Sequence, residues 1–166
     1  QEDLFRNQVD IAMKAKLPVI LHIRGMTKAQ TLALMNRARN LLIEAKYPRS
    51  GVIQLHCYTG SLTDLTAWRN HFPNCYVGLS SRMGDCPDVV QDPAFDLQKF
   101  LLETDAPHLT PACVVSQNKQ QGLEEPPNSP FFLGFNLQRL FQASGIPIRV
   151  LARAQQANMT AAYGYV

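Results

Sequence analysis

Short apolar runs bounded by polar turns recur along this chain, and longer stretches with helical spacing lie between them. Residues 18–24, 52–57, 75–79 and 100–105 read as four strands. They are apolar at most positions instead of alternating, as expected of strands covered on both faces. Residues 1–17 read as a helix with Leu4, Gln8, Ile11, Ala12 and Ala15 on one side. Thr27 is placed to cap a helix reaching residue 46, whose stripe is Leu32, Met35, Ala38, Leu42 and Ala45. A third helix carries Leu65 and Trp68 and is broken by Pro73 and Asn74. A short helix is expected over residues 93–98, and residues 110–129 read as an exposed loop. Helices over 130–143 and 148–160 close the chain, the second started by Pro147.

Strands alternating with helices imply a parallel sheet. Four such strands make half of a (β/α)₈ barrel, so the expected fold class is α/β, the C-terminal half of a TIM-type barrel with closing helices. The length agrees: 166 residues suffice for one domain with a real core, whereas a whole barrel takes about 250. The chain has no initiator Met and opens directly inside a helical pattern. Residue 1 is therefore read as a cut, and 1–166 as one partial domain truncated on its N-terminal side. Half a barrel would expose two sheet edges and an unfilled interior, which weighs against stability on its own.

Composition narrows the class. With 46% hydrophobic and 17% charged residues the chain has the profile of a globular domain. A net charge of +3 permits a polyanionic substrate without arguing for one. Four cysteines without C-x-x-C spacing suggest reduced thiols, and no apolar stretch has the length of a membrane span. An intracellular location, cytoplasm or nucleus, and no membrane partner are the expectations.

Three of the four strands end in metal-ligand types: His22 closes LPVILH, His56 closes GVIQLH, and Asp105 closes FLLETD. In parallel barrels the C-terminal strand ends converge on one face, where such groups can share a cation. Imidazole suits Zn²⁺, and carboxylate also accepts Mg²⁺ or Mn²⁺. Asp105 can in addition take a proton from an attacking water, which makes it the catalytic candidate. A lone histidine is more often a satisfied residue near a sheet edge; the coincidence of three strand ends reverses that preference. Cys57 is expected to point to the opposite side of its strand, into the core. Glu103 and Thr104 are read as structural, facing away from the metal, and His71 likewise as structural. Tyr58 and Thr59 either line the site or pack. Ser80, Ser81 and Arg82 follow the third strand and can reach the same face. His108 is either a substrate contact or an ordinary solvent-exposed loop histidine.

The segments LPVILHIRG, LHCYTG, YVGLS and LLETDAPHLTP, in this order, resemble the TatD-type metal-dependent deoxyribonucleases of the amidohydrolase superfamily. The opening helix, Asn128–Pro130 and the stretch around Asn158 are similar to further parts of that family, and within it a divergent animal branch is nearest in character. The resemblance implies that His22 and His56 hold one ion of a pair and that Asp105 holds the other and helps activate water. It gives Arg24 a phosphate contact, although a plain surface arginine fits as well. It also implies two divalent ions (Mg, Mn or Zn) and DNA, or alternatively RNA, as substrate. The family's H-x-H pair and metal-bridging Glu are absent; no H-x-H occurs in the chain. The expected function is hydrolysis of phosphodiester bonds in DNA, with this chain by itself incomplete for catalysis. The alternatives are a non-catalytic scaffold and an amidohydrolase acting on C–N or ester bonds. Oligomeric state is left open.

Overall fold

The computed structural model describes residues 1–164. Four strands, β1 (Val19–Leu21), β2 (Ile53–Leu55), β3 (Cys75–Leu79) and β4 (Phe100–Leu102), form one parallel sheet in the order β1-β2-β3-β4. Sequential order with a helix in each of the first two crossovers is the arrangement of consecutive barrel strands. Those helices are α2 (Lys28–Glu44) and α3 (Leu62–His71), with α1 (Glu2–Ala15) ahead of the sheet. Among the described residues no helix is long and apolar enough to cross a membrane.

Local chemistry sets the helix starts. The Thr27 hydroxyl accepts the Gln30 amide at 3.1 Å. At α3, Ser61 and Asp64 form a reciprocal capping box, satisfying two otherwise free amides. At α6 (Leu133–Ser144) the end is Gly145, whose φ of +70° suits a residue without Cβ. Pro147 then opens α7 (Ile148–Tyr163).

Odd-numbered positions of β1 to β3 and even-numbered ones of β4 pack outward against the helices. Ile53, Leu55, Val77, Leu79 and Phe100 join Val9, Met35, Leu42, Trp68, Leu140 and Leu151 in one core. The other face carries Ile20, Gln54, Tyr76, Gly78 and Leu101 by strand alternation. Tyr76 and Leu101 are buried there against Ala162. The end of α7 thus covers part of the face expected to stand open.

Several expectations change. The strands are shorter than read, so His22 and His56 each fall one residue past their strand and Asp105 three past β4. Residues 93–98 form turns; the short elements are a 3-10 turn (Met83–Asp85) and α4 (Pro87–Val90), the latter begun by Pro87. The stretch read as a loop contains α5 (Ala112–Gln120), which buries nothing fully and so lacks the apolar stripe that would mark it. On α1 the buried residue is Val9, with Phe5 and Met13 packed beside it, while Leu4 and Ile11 are exposed.

Candidate metal centre

The C-terminal ends of β1, β2 and β4 deliver the candidate ligands to one place. The rings of His22 and His56 stand with centroids 4.9 Å apart. His56 Nε2 lies 2.9 Å from Asp105 Oδ1. His56 Nδ1 lies 2.8 Å from Glu103 Oε2, so both ring nitrogens face a carboxylate. Asp105 is at φ 61° and Cys57 at φ 46°, left-handed conformations that cost a residue with a Cβ of order 1–3 kcal/mol and are often found at functional sites.

That backbone turn corrects the reading of Cys57. The strand ends at Leu55, and the left-handed residue breaks alternation. Cys57 is half-buried and forms, with His56 and Asp105, a group whose ligand atoms lie within 4.8 Å of one another. Glu103 is also corrected. It faces the site: beyond its bond to His56, Oε2 accepts from Gln54 Nε2 at 2.7 Å, and Oε1 accepts the Cys57 amide. Positions 101 and 103 share a face by simple alternation, a signal present in the sequence, whereas Asp105 reaches the site through its own left-handed turn.

Electrostatics follow from these contacts. The Cys57 sulfur and then the Glu103 carboxylate hold the imidazolium of His56, raising its pKa from 6.5 to about 11. Burial pushes the opposite way. A borderline-soft nitrogen, a carboxylate and a thiol in reach of one another form a donor set suited to a divalent ion. The residues present therefore fit a metal, which would displace the proton from His56.

The other candidates are distributed unevenly. His22, Arg24, His56, Cys57, Arg82 and Asp105 line a cleft of about 220 Å³, together with the start of α2 at Thr27 and Lys28. Arg24 is exposed, and among the described residues it and Lys28 form no ion pair. Arg82 pairs with Asp85 at 2.6 Å. Thr59 borders the cleft, whereas Tyr58 is buried and donates to the Ser61 carbonyl at 2.6 Å. Ser80 is buried, and Ser81 donates to the Leu109 carbonyl at 2.9 Å. His108 is exposed and outside the cleft lining; its carbonyl accepts from Asn128. His71 is exposed at the end of α3.

A family model described as TatD related DNase matches residues 1–164. The 3'-5' ssDNA/RNA exonuclease TatD of Escherichia coli (strain K12) is 27% identical over 168 residues, covering 99% of this chain and 58% of that protein. Its counterpart from Pantoea ananatis is 26% identical over 170 residues, covering 100% of this chain and 59% of that protein. The chain therefore spans less than two thirds of the length of these curated relatives. Among solved structures, the E. coli TatD homolog YJJV superposes with a TM-score of 0.71 at 23% identity, over 96% of this chain and 54% of that one.

Proposed function

The chain belongs to the TatD related DNase family, and from that premise we propose that it carries the second half of a metal-dependent nuclease cleaving phosphodiester bonds in DNA or RNA. The observation carrying this reading is the convergence of His22, His56 and Asp105 from three strand ends beside a cleft rimmed by Arg24, Lys28 and Arg82. Ligands alone would serve many hydrolases. Cationic side chains at the same mouth favour a phosphate over a neutral amide or ester.

His22, His56 and Asp105 are the proposed ligands, with Cys57 beside them, since it is the Cys57 sulfur and not a His22 nitrogen that completes the close group with His56 and Asp105; imidazole donors suit Zn²⁺ better than Mg²⁺. A divalent ion held there supplies charge stabilisation at the phosphoryl oxygens and a more acidic water. The Asp105 carboxylate would take the proton of the attacking water. Arg24, which pairs with no carboxylate among the described residues, holds a non-bridging phosphate oxygen and orients the ester for attack. His108, outside the cleft lining, is given the lesser role of meeting a more distant part of the strand.

These 166 residues contain no H-x-H pair, so they are proposed to be a poor catalyst on their own. The free cysteines support a reducing, intracellular location. The test uses the full-length polypeptide, a 3'-labelled single-stranded oligonucleotide and Mn²⁺. Asp105→Asn is expected to lower cleavage by about 10²–10⁴-fold with thermal unfolding unchanged. Cleavage at the wild-type rate by that variant contradicts the role of Asp105; equal cleavage by the isolated 166 residues contradicts their incompleteness.

A further inference from the structure

We propose that Glu103 is a positioning residue that fixes the ring orientation and tautomer of His56, and that Gly78 is required as the gap through which Glu103 reaches it. The inference rests on the metal-centre reading above and adds to it a residue outside the ligand set.

Geometry carries the argument. Glu103 follows β4 and His56 follows β2, so the whole of β3 lies between them. A side chain on β3 at the crossing point would block the approach. The residue there is Gly78, paired in register with Leu101. A Cβ built on Gly78 would come within 2.3 Å of Glu103 Oε1 and 2.9 Å of the Leu55 carbonyl oxygen. The missing side chain leaves room for a carboxylate to cross the sheet.

Having crossed, the carboxylate is fully used. Oε2 meets His56 Nδ1 at 2.8 Å and the Gln54 amide nitrogen at 2.7 Å, and Oε1 accepts the Cys57 backbone N–H. Gln54 is itself buried and held by the Tyr163 hydroxyl, which donates to its Oε1. That bond decides which way the Gln54 amide faces: its oxygen toward Tyr163, its nitrogen toward Glu103. The Cys57 contact supports the left-handed turn immediately after His56. One carboxylate thus holds the imidazole and the chain that follows it.

The chemical consequence concerns Nε2. With its Nδ1–H donated to Glu103, a neutral His56 presents a lone pair at Nε2, the nitrogen 2.9 Å from Asp105 Oδ1. Carboxylate partners of this kind fix the tautomer of a ligating histidine and raise its basicity. Losing such a partner commonly weakens metal binding by about 10–100-fold.

The test is zinc affinity of the full-length protein, measured by competition with a chromophoric chelator, for wild type, Glu103→Gln, Gly78→Ala and His56→Ala. Glu103→Gln keeps the size of the side chain but turns one acceptor oxygen into a donor that faces other donors. Gly78→Ala leaves the carboxylate intact and displaces it. Both are expected to weaken zinc binding about 10–100-fold while the metal-free proteins stay folded. In zinc-loaded wild type, histidine-labelled ¹H–¹⁵N spectra should show a slowly exchanging Nδ1–H on His56, lost in Glu103→Gln. A purely architectural Glu103 would alter melting and leave that signal in place. If the variants bind zinc like wild type and only His56→Ala loses it, the positioning role is overturned and the metal centre stands. If wild type and His56→Ala bind zinc equally poorly, the metal reading falls and this inference with it. Should Glu103→Gln fail to fold, Gly78→Ala decides.

Discussion

At the scale of single residues, the site is organised around His56, which meets Glu103 at one ring nitrogen and Asp105 at the other. Without metal this arrangement favours the imidazolium: the Cys57 sulfur and Glu103 lift the pKa from 6.5 to about 11. The folded state therefore binds more protons than the unfolded chain between those values, and stability falls as pH rises through that window. The metal-free protein is expected to lose melting temperature as pH rises from 6.5 to about 8.5. His56→Gln should flatten that slope; equal slopes in variant and wild type would remove His56 as its source. The three ligand candidates were legible because each ends an apolar run, a pattern that strand geometry makes meaningful. Cys57 was not, since a left-handed residue after the strand defeats alternation, and nothing in the letters HCYTG marks that φ. Glu103 was legible in another way: two residues past Leu101 it falls on the inner face of the sheet by alternation, not on the side away from the site.

At the scale of elements, α7 does more than close the chain. Among the described residues β4 has a strand neighbour on one side only, leaving Phe100 and Leu102 with backbone groups toward the other. Gln155 Oε1 accepts the Leu102 amide at 2.7 Å. Asn158 Nδ2 donates to the Phe100 carbonyl at 2.8 Å and to the Leu97 carbonyl at 3.0 Å. Side-chain amides on one helix face thus stand in for part of a missing strand. Asn158 is 4% exposed, so its loss leaves the buried Phe100 carbonyl without its partner and frees the half-buried Leu97 carbonyl. Asn158→Ala is expected to cost about 2–3 kcal/mol in urea unfolding with an unchanged slope against denaturant. A cost under about 0.5 kcal/mol would mean that water replaces the amide. The strand–helix alternation was readable because periodicities of 2 and 3.6 differ. By contrast α5 hid in the polar run around NKQQG, having no buried face to impose a period.

At the scale of the whole molecule, a half-barrel was expected to lack the means to stand alone, and the structure supplies some of them. One core runs from Val9 on α1 to Leu151 on α7 and takes in residues of α2, α3, α4, α6 and all four strands. The second face is closed in part by Tyr76, Leu101 and Ala162. What stays uncovered is β1, whose Ile20 is 56% exposed and which, among the described residues, has a partner strand only in β2. A continuous core predicts that the 166 residues unfold in one cooperative step, with calorimetric and van't Hoff enthalpies in agreement. Two separated transitions, or none, would show that the core does not bind the elements into one unit. The fold class was legible at this scale because connection order fixes a parallel sheet; the part played by α7 was not, since it depends on where side-chain amides meet an edge.

The account rests on His56 and Asp105 gripping one cation, and anomalous diffraction at the zinc absorption edge from zinc-soaked crystals tests it most directly. It predicts a peak about 2.0–2.2 Å from His56 Nε2 and from an Asp105 carboxylate oxygen. Zinc found only elsewhere on the surface, with that pair still joined to each other and bare of metal, would contradict it.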